Sequence, residues 1–450
     1  MADTTDPPAR PVTRVDSSIR DAAETLSRAE IERVQTERLK AGVERIAATV
    51  PFYSKRLKEA GFEPGAIHSI TDLPRLPFTL KSDLRDNYPF GLLAVPRKDA
   101  VRVHASSGTT GKPTVVAYTR NDLDLWTDLI LRCYACAGVG SGDVVHNAFG
   151  YGLFTGGLAF HYGAERLGAT IIPVSGGNTR RQLLIMRDLG STVLCSTPSY
   201  ALLLAEAAAQ EGFDVHAGPL RVGIFGAEPW SERMREEIEA RLGIAAFNVY
   251  GLTEIIGPGV SVECPYRRGM HIFEDHFFPE VIDPVTGVPL PDGEWGELVI
   301  TCVTKEALPL LRYRTRDRTR LMRDCCPCGR TTVRMDRVVG RTDDMLIVRG
   351  VNVFPSQIEA VLLQVAGIEP HYQIIVDRKS RHTDELDVLV EARSDVYGDP
   401  TQMAQLEKRL SCEVQSALGI NCKVRLADPG AITRSEGKAE RVVDKRREIT

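Results

Sequence analysis

Between Asn121 and Ser261 the chain alternates between two patterns. Residues 179–189 and 200–211 mix apolar and polar positions over enough length for a helix. Short β-branched or apolar runs stand around them: Thr170-Ile-Ile-Pro-Val174, Ser191-Thr-Val-Leu194, Arg221-Val-Gly-Ile-Phe225 and Ala246-Phe-Asn-Val-Tyr250. This alternation predicts α/β layers on a largely parallel sheet, because parallel neighbours need a crossover and a helix supplies it. After Gly259 the texture changes. Residues 280–287 and 297–301, with the turn residues Pro291-Asp-Gly293 between them, predict β-hairpins and so a β-rich subdomain. A third texture begins beyond Gly340: an apolar run at 345–348, a helix over 355–365, strands at 372–376 and 385–391, and a helix over 402–418. It predicts a small α+β domain joined through Gly340-Arg-Thr-Asp-Asp344, so the expected division is residues 1–342 and 343–450. Upstream, residues 19–49 have no proline and many Ala, Glu, Arg and Leu, which predicts one helix. Residues 1–15 are expected to form a mobile arm.

Composition narrows the class. With 450 residues, more than one domain is expected. Lys and Arg number 56 against 60 Asp and Glu, a net charge of -4, too even for a nucleic-acid binder. No apolar run approaches the ~20 residues that cross a bilayer. The start shows no basic segment followed by an apolar one, so no secretory signal is expected. Ten cysteines in so long a chain then favour thiols or a metal site over a disulfide framework. A cytoplasmic enzyme without a membrane or nucleic-acid partner is the expectation.

The most informative stretch is Ser106-Ser-Gly-Thr-Thr-Gly-Lys-Pro113. Gly108 and Gly111 let backbone N–H groups turn toward an anion, the hydroxyls of Ser106, Ser107, Thr109 and Thr110 donate hydrogen bonds, and Lys112 brings a point charge. It is not a Walker loop, which needs glycine where Ser106 stands and a hydroxyl where Pro113 stands. The run that follows, Thr114-Val-Val-Ala-Tyr118, reads as a strand, whereas a Walker loop opens a helix.

With this loop the chain resembles the adenylate-forming superfamily of acyl-CoA synthetases, and further motifs of that superfamily follow in order. Tyr250-Gly-Leu-Thr-Glu254 resembles the segment in which, by the resemblance, Tyr250 and Gly251 lie at the adenine, Thr253 touches the α-phosphate and Glu254 holds Mg²⁺. Tyr313-Arg-Thr-Arg-Asp317 is similar to the segment whose aspartate binds the ribose hydroxyls. Gly340-Arg-Thr-Asp-Asp344 resembles the hinge, with Arg341 near ribose or phosphate and Asp343 as pivot. Ser435-Glu-Gly-Lys438 matches the position of the catalytic lysine. Within the superfamily the marks of the phenylacetate–CoA ligase subfamily are Asn147-Ala-Phe-Gly-Tyr-Gly-Leu-Phe-Thr-Gly156, Gly226-Ala-Glu-Pro229, His271-Ile-Phe-Glu-Asp275 and Arg434-Ser-Glu-Gly-Lys-Ala439. The resemblance runs from about Pro51 to Arg446 and places Gly226, Ala227, Glu228 and Pro229 at the adenine. It implies a large N-terminal adenylate-forming domain, a small C-terminal domain on a hinge, and a homodimer.

The implied chemistry has a clear logic. A carboxylate is a poor acyl donor because its leaving group would be oxide. Attack on the α-phosphate of ATP makes AMP the leaving group, and a CoA thiol then takes the acyl group. Two anions meet in the first step, so they need screening by Mg²⁺ on Glu254, by Lys112 and its loop, and by Lys438 between carboxylate and phosphate. A rotation about Asp343 would carry Lys438 away and admit CoA.

Phe149, Tyr151 and Phe154, set among Gly150, Gly152, Gly156 and Gly157, suit a flat aryl acid, with ordinary core packing as the alternative. The resemblance puts Tyr151 near the ring. Phenylacetate is the default acid; benzoate, a hydroxylated aryl acid, or delivery to an amine or carrier protein are the alternatives. A non-catalytic nucleotide-binding regulator is disfavoured because Lys438, Glu254 and Asp317 are all retained. Cys326-Pro-Cys328 is a tight thiol pair in a turn, and Cys264 and His271 are the nearest further ligands for a structural Zn²⁺, with Cys325 as a spare. Free thiols are the alternative. Cys133 and Cys136 are expected to pack in a helix over 124–137.

Overall fold

The computed structural model describes residues 15–106, 113–342, 346–348, 351–353, 355–380, 383–435, 439 and 441–445. Five strands pair in parallel in the order Thr170–Ile172, Val144–Asn147, Val193–Ser196, Val222–Phe225 and Ala245–Leu252. Between them run the helices Gly156–Leu167, Thr179–Asp188, Pro198–Gln210 and Glu232–Leu242. Val193–Ser196 and Val222–Phe225 are buried at every position, as expected of strands covered on both faces. The sheet continues in antiparallel fashion through Gly257–Glu263 and Met270–Ile272. A second antiparallel sheet, Phe278–Ile282, Gly296–Cys302 and Leu310–Thr319, forms the β-rich part. These are the α/β layers and β-rich subdomain that the pattern predicts.

Buried ion pairs fix the turns that matter later. Arg235 donates to both oxygens of Glu263 at 2.8 Å, and Glu263 also accepts the Asn248 N–H, which ties the helix Glu232–Leu242 to the strand that carries Tyr250 and to its neighbour Gly257–Glu263. Arg312 grips Glu280 with two bonds and also donates to the Pro74 and Leu76 carbonyls, which anchors the strand leading to Asp317.

Past residue 345 the strands Ile368–Ser380, Thr383–Ala392, Lys423–Ala427 and Val442–Asp444 make a separate sheet, covered by the helices Pro355–Leu362 and Pro400–Leu418. Its apolar residues, among them Ile374, Val388 and Leu410, form a core of their own.

One expectation needs correction. Residues 19–49 are not one helix: a short 3₁₀ turn, Ala22–Thr25, precedes the helix Arg28–Thr49. Asp21 and Ser27 each act as an N-cap with an acid three residues on, and two start signals split the run. Residues 1–14, the predicted arm, lie outside the described residues.

Candidate active site

In an open parallel sheet, ligands gather beyond the carboxyl ends of the strands, and the sequence motifs stand there. Asn147 pairs with Cys195, and Ser196 with Phe225 and Phe225 with Asn248, so the segments that follow these strands begin side by side. Two of them come very close. A Cβ on Gly226 would lie 2.4 Å from the Val249 carbonyl oxygen, and one on Gly251 only 2.0 Å from that of Gly257. Neither position admits a side chain. Ala227, next in line, has φ 71, a strained left-handed conformation of the kind that clusters at functional sites.

Tyr250, Asp317 and Arg341 come together although 67 residues separate the first two. The Tyr250 hydroxyl donates to Asp317 Oδ2 at 2.6 Å and Arg341 Nη1 donates to Oδ1 at 3.3 Å. Burial, and then the Asp317 charge, push the Tyr250 phenol well above its ordinary value, so it stays a donor. Asp317 and Arg341 also form an isolated antiparallel bridge. Four residues past Tyr250, the nearly buried carboxylate of Glu254 pairs with Lys81 at 3.2 Å, and Thr253 Oγ1 lies 3.4 Å from Thr155 Oγ1. Lys81 opens a short helix far away in sequence, and no pattern in the chain announces it as a partner of Glu254.

The strands Arg102–Ala105 and Val115–Tyr118 form an antiparallel hairpin, with the hydroxyl-rich loop at its tip. The strand after the loop is what separates it from a Walker turn. Ser107, Gly108, Thr109, Thr110, Gly111 and Lys112 lie outside the described residues, as do Asp343 and Lys438. At the two stems of the loop, however, Ser106 Oγ and Thr114 Oγ1 are buried without a partner among the described residues. Orphaned hydroxyls cost free energy in a folded protein unless a ligand takes them, and a triphosphate is an acceptor of that kind.

Glu228 is directed differently from the rest of its motif. Its two carboxylate oxygens accept the backbone N–H groups of Ser199, at 2.8 Å, and Ala439, at 2.9 Å. Any adenine contact from residues 226–229 therefore falls to the backbone and to the small side chains.

Of the aromatic residues proposed for an acid pocket, Phe149 is core: it is 7 % exposed and stacks on Phe160 at 5.1 Å. Phe154 is half exposed instead. Tyr151 holds the intermediate position a ligand wall needs, with its hydroxyl bonded by Asn147 at 2.8 Å and set 3.2 Å from His161 Nδ1. Burial pushes its phenol up to about 12, which keeps it neutral. Gly152, at φ 125, adopts a conformation open to glycine alone and turns the chain after Tyr151.

Away from these residues, Cys264, His271, Cys326 and Cys328 converge so that their ligand atoms all lie within 4.8 Å of one another. Cys264 Sγ is 3.6 Å from Cys326 Sγ, and Cys328 Sγ is 3.3 Å from His271 Nε2. A tetrahedron with metal–sulfur bonds of about 2.3 Å has edges of roughly 3.8 Å, so these separations suit zinc, while a disulfide would need sulfurs about 2 Å apart. His271 Nδ1 stands 3.2 Å from Thr332 Oγ1, which fixes the ring with Nε2 toward the sulfurs. Cys325 is exposed and outside the cluster; Cys133 and Cys136 are buried in the core.

Comparison with known proteins agrees with this architecture. The family model described as AMP-binding enzyme matches residues 33–303, and that described as AMP-binding enzyme C-terminal domain matches residues 350–446. The phenylacetate–coenzyme A ligase of Thermus thermophilus is 50 % identical, over 94 % of this chain and 98 % of its own. That of Escherichia coli is 50 % identical over 95 % and 97 %. Among solved structures, 2-hydroxyisobutyryl-CoA ligase in its postadenylation state superposes with a TM-score of 0.89 at 29 % identity, covering 98 % of this chain and 96 % of that one. The same ligase in its thioesterification state, at 30 % identity over 97 % and 95 %, gives 0.70.

Proposed function

Because this chain belongs to the phenylacetate–CoA ligase family of AMP-binding enzymes, we propose that the acid it activates is phenylacetate. The chain is an AMP-forming CoA ligase: ATP converts a carboxylate to an acyl-adenylate, pyrophosphate leaves, and CoA takes the acyl group. The observation that carries the residue assignments is the Tyr250–Asp317–Arg341 cluster at the carboxyl ends of the strands, beside Thr253 and Glu254. Asp317 accepts the ribose hydroxyls there, Tyr250 lies against the adenine, and Arg341 steadies Asp317 or a phosphate. Ser106 and its loop cradle the phosphates, and Thr253 donates to the α-phosphate. Glu254, freed from Lys81, would hold Mg²⁺, whose charge screens the meeting of carboxylate and phosphate. Lys438 bridges the same two anions, and a swing about Asp343 between the units 1–342 and 343–450 withdraws it before CoA enters. Tyr151 and Gly152 border the aryl ring.

Cys264, His271, Cys326 and Cys328 would hold a structural Zn²⁺, with every position taken by protein and none left for substrate. A cytoplasmic setting, where ATP and CoA are held, and a homodimer belong to the same proposal.

A panel of aryl acids assayed for pyrophosphate release, with and without CoA, tests the reading. Phenylacetate should give the highest kcat/KM, with one thioester formed per pyrophosphate. Faster turnover of benzoate or a hydroxylated acid would replace the acid. Pyrophosphate release with no thioester on adding CoA would point to a carrier protein or an amine as acceptor.

A further inference from the structure

Between the two units lies a seam of charge that reaches the large unit from the Arg434-Ser-Glu-Gly-Lys-Ala439 motif. Glu206, on the helix Pro198–Gln210, accepts Arg434 Nε at 3.0 Å through Oε2 and binds His371 Nε2 through Oε1. Arg434 is itself held by two bonds, 2.6 and 2.8 Å, to the fully buried carboxylate of Glu391. A second pair joins the units beside it: Arg241 Nη2 donates to Glu369 Oε2 at 2.8 Å. His371, Glu369, Glu391 and Arg434 belong to the small unit, and Glu206 and Arg241 to the large one. Only 15 % of the Glu206 side chain is exposed, and 13 % of His371.

A carboxylate removed from water is costly unless its partners are present. Burial alone would raise the Glu206 carboxyl, yet hydrogen bonds and charge from His371 and Arg434 hold it below its ordinary value. Arg241 of the large unit stands 3.9 Å from Glu206 Oε1, but both hydrogen-bond partners come from the small unit, so the cluster is complete only in one arrangement of the two. That arrangement is the one with a TM-score of 0.89 to the postadenylation ligase, against 0.70 for the same ligase in its thioesterification state. Arg434 precedes Lys438 by four residues, so the grip acts on the segment that carries the lysine.

We propose that Glu206 is a positioning residue for the first half-reaction: by gripping Arg434 and His371 together it holds the small unit in the adenylating arrangement and sets the balance between the two half-reactions. The inference rests on the two-step ligase reading above. The test measures acid-dependent ATP–pyrophosphate exchange and, separately, thioester formation from supplied phenylacetyl-adenylate and CoA. In Glu206→Ala the ratio of the first rate to the second should fall about tenfold or more, the scale expected for truncating one partner of a buried charge pair. The ATP KM should not change, because Glu206 itself belongs to none of the segments read as contacting nucleotide. Arg434→Ala should shift the ratio in the same direction, and the double variant should be no worse than the more affected single one. A ratio that stays put, at full activity or with both rates lowered together as in a folding defect, overturns the inference. Absence of both half-reactions in the unmodified protein would overturn the ligase reading and this inference with it.

Discussion

Asp317 has a partner on each carboxylate oxygen, Tyr250 and Arg341, and this pairing preorganises it for a diol. Asp317→Ala should raise the ATP KM about ten- to hundredfold, the range for hydrogen bonds to a charged group, and leave the acid KM nearly unchanged. Pyrophosphate-release kinetics measure both, and an unchanged ATP KM would remove the ribose assignment. His146 makes a different kind of prediction. Burial pushes its imidazole down to about 4, although a hydrogen bond with Gln182 Oε1 at 2.6 Å opposes this. Its folded value lies below its unfolded one, so the unfolded chain binds the extra proton first as pH falls. The stability is complete above about pH 6.5 and is lost toward pH 4, about 3 kcal/mol in all. Thermal melts between pH 7 and 4 should show that loss, and His146→Gln should flatten the slope; equal slopes would refute the shift. Residue types were legible here and contacts were not. Phe149 and Phe154 look alike in sequence, yet one stacks in the core and the other faces water. Lys81 meets Glu254 through tertiary folding alone.

Among the elements, the strand after the hydroxyl-rich loop and the strand–helix alternation were readable because each rests on a local pattern. The break at Ser27 went unread because the residues on both sides favour helix, and the capping boxes decide the matter. The thiol pair at 326 and 328 was visible from its spacing. That Cys264 and His271 face it depends on the strand Met270–Ile272 lying beside Arg334–Met335. This loop also anchors the 3₁₀ turn Ala22–Thr25, since Arg330 donates to the buried Glu24 at 2.6 Å and the Thr331 N–H to the Glu24 carbonyl. Metal analysis should find about one zinc per chain. Cys326→Ser should lose it and lower Tm by several degrees, because the free energy of metal binding is folding free energy. Metal-free protein with an unchanged Tm would refute the site.

On the scale of the whole molecule, the two units keep separate apolar cores and meet through Glu206, Arg241, His371, Glu369 and Arg434, with Glu228 joined to Ala439 beside them. No described helix is long and apolar enough to cross a membrane. The change of texture past Gly340 was legible in the sequence, whereas the charges that close the seam lie scattered from 206 to 434. Parting the units therefore wets ions and leaves both oily interiors dry. Dissolved salt competes for ions and not for oil, so in the proposed swing the ionic strength of the medium would act as a dial, with brine favouring the parted form.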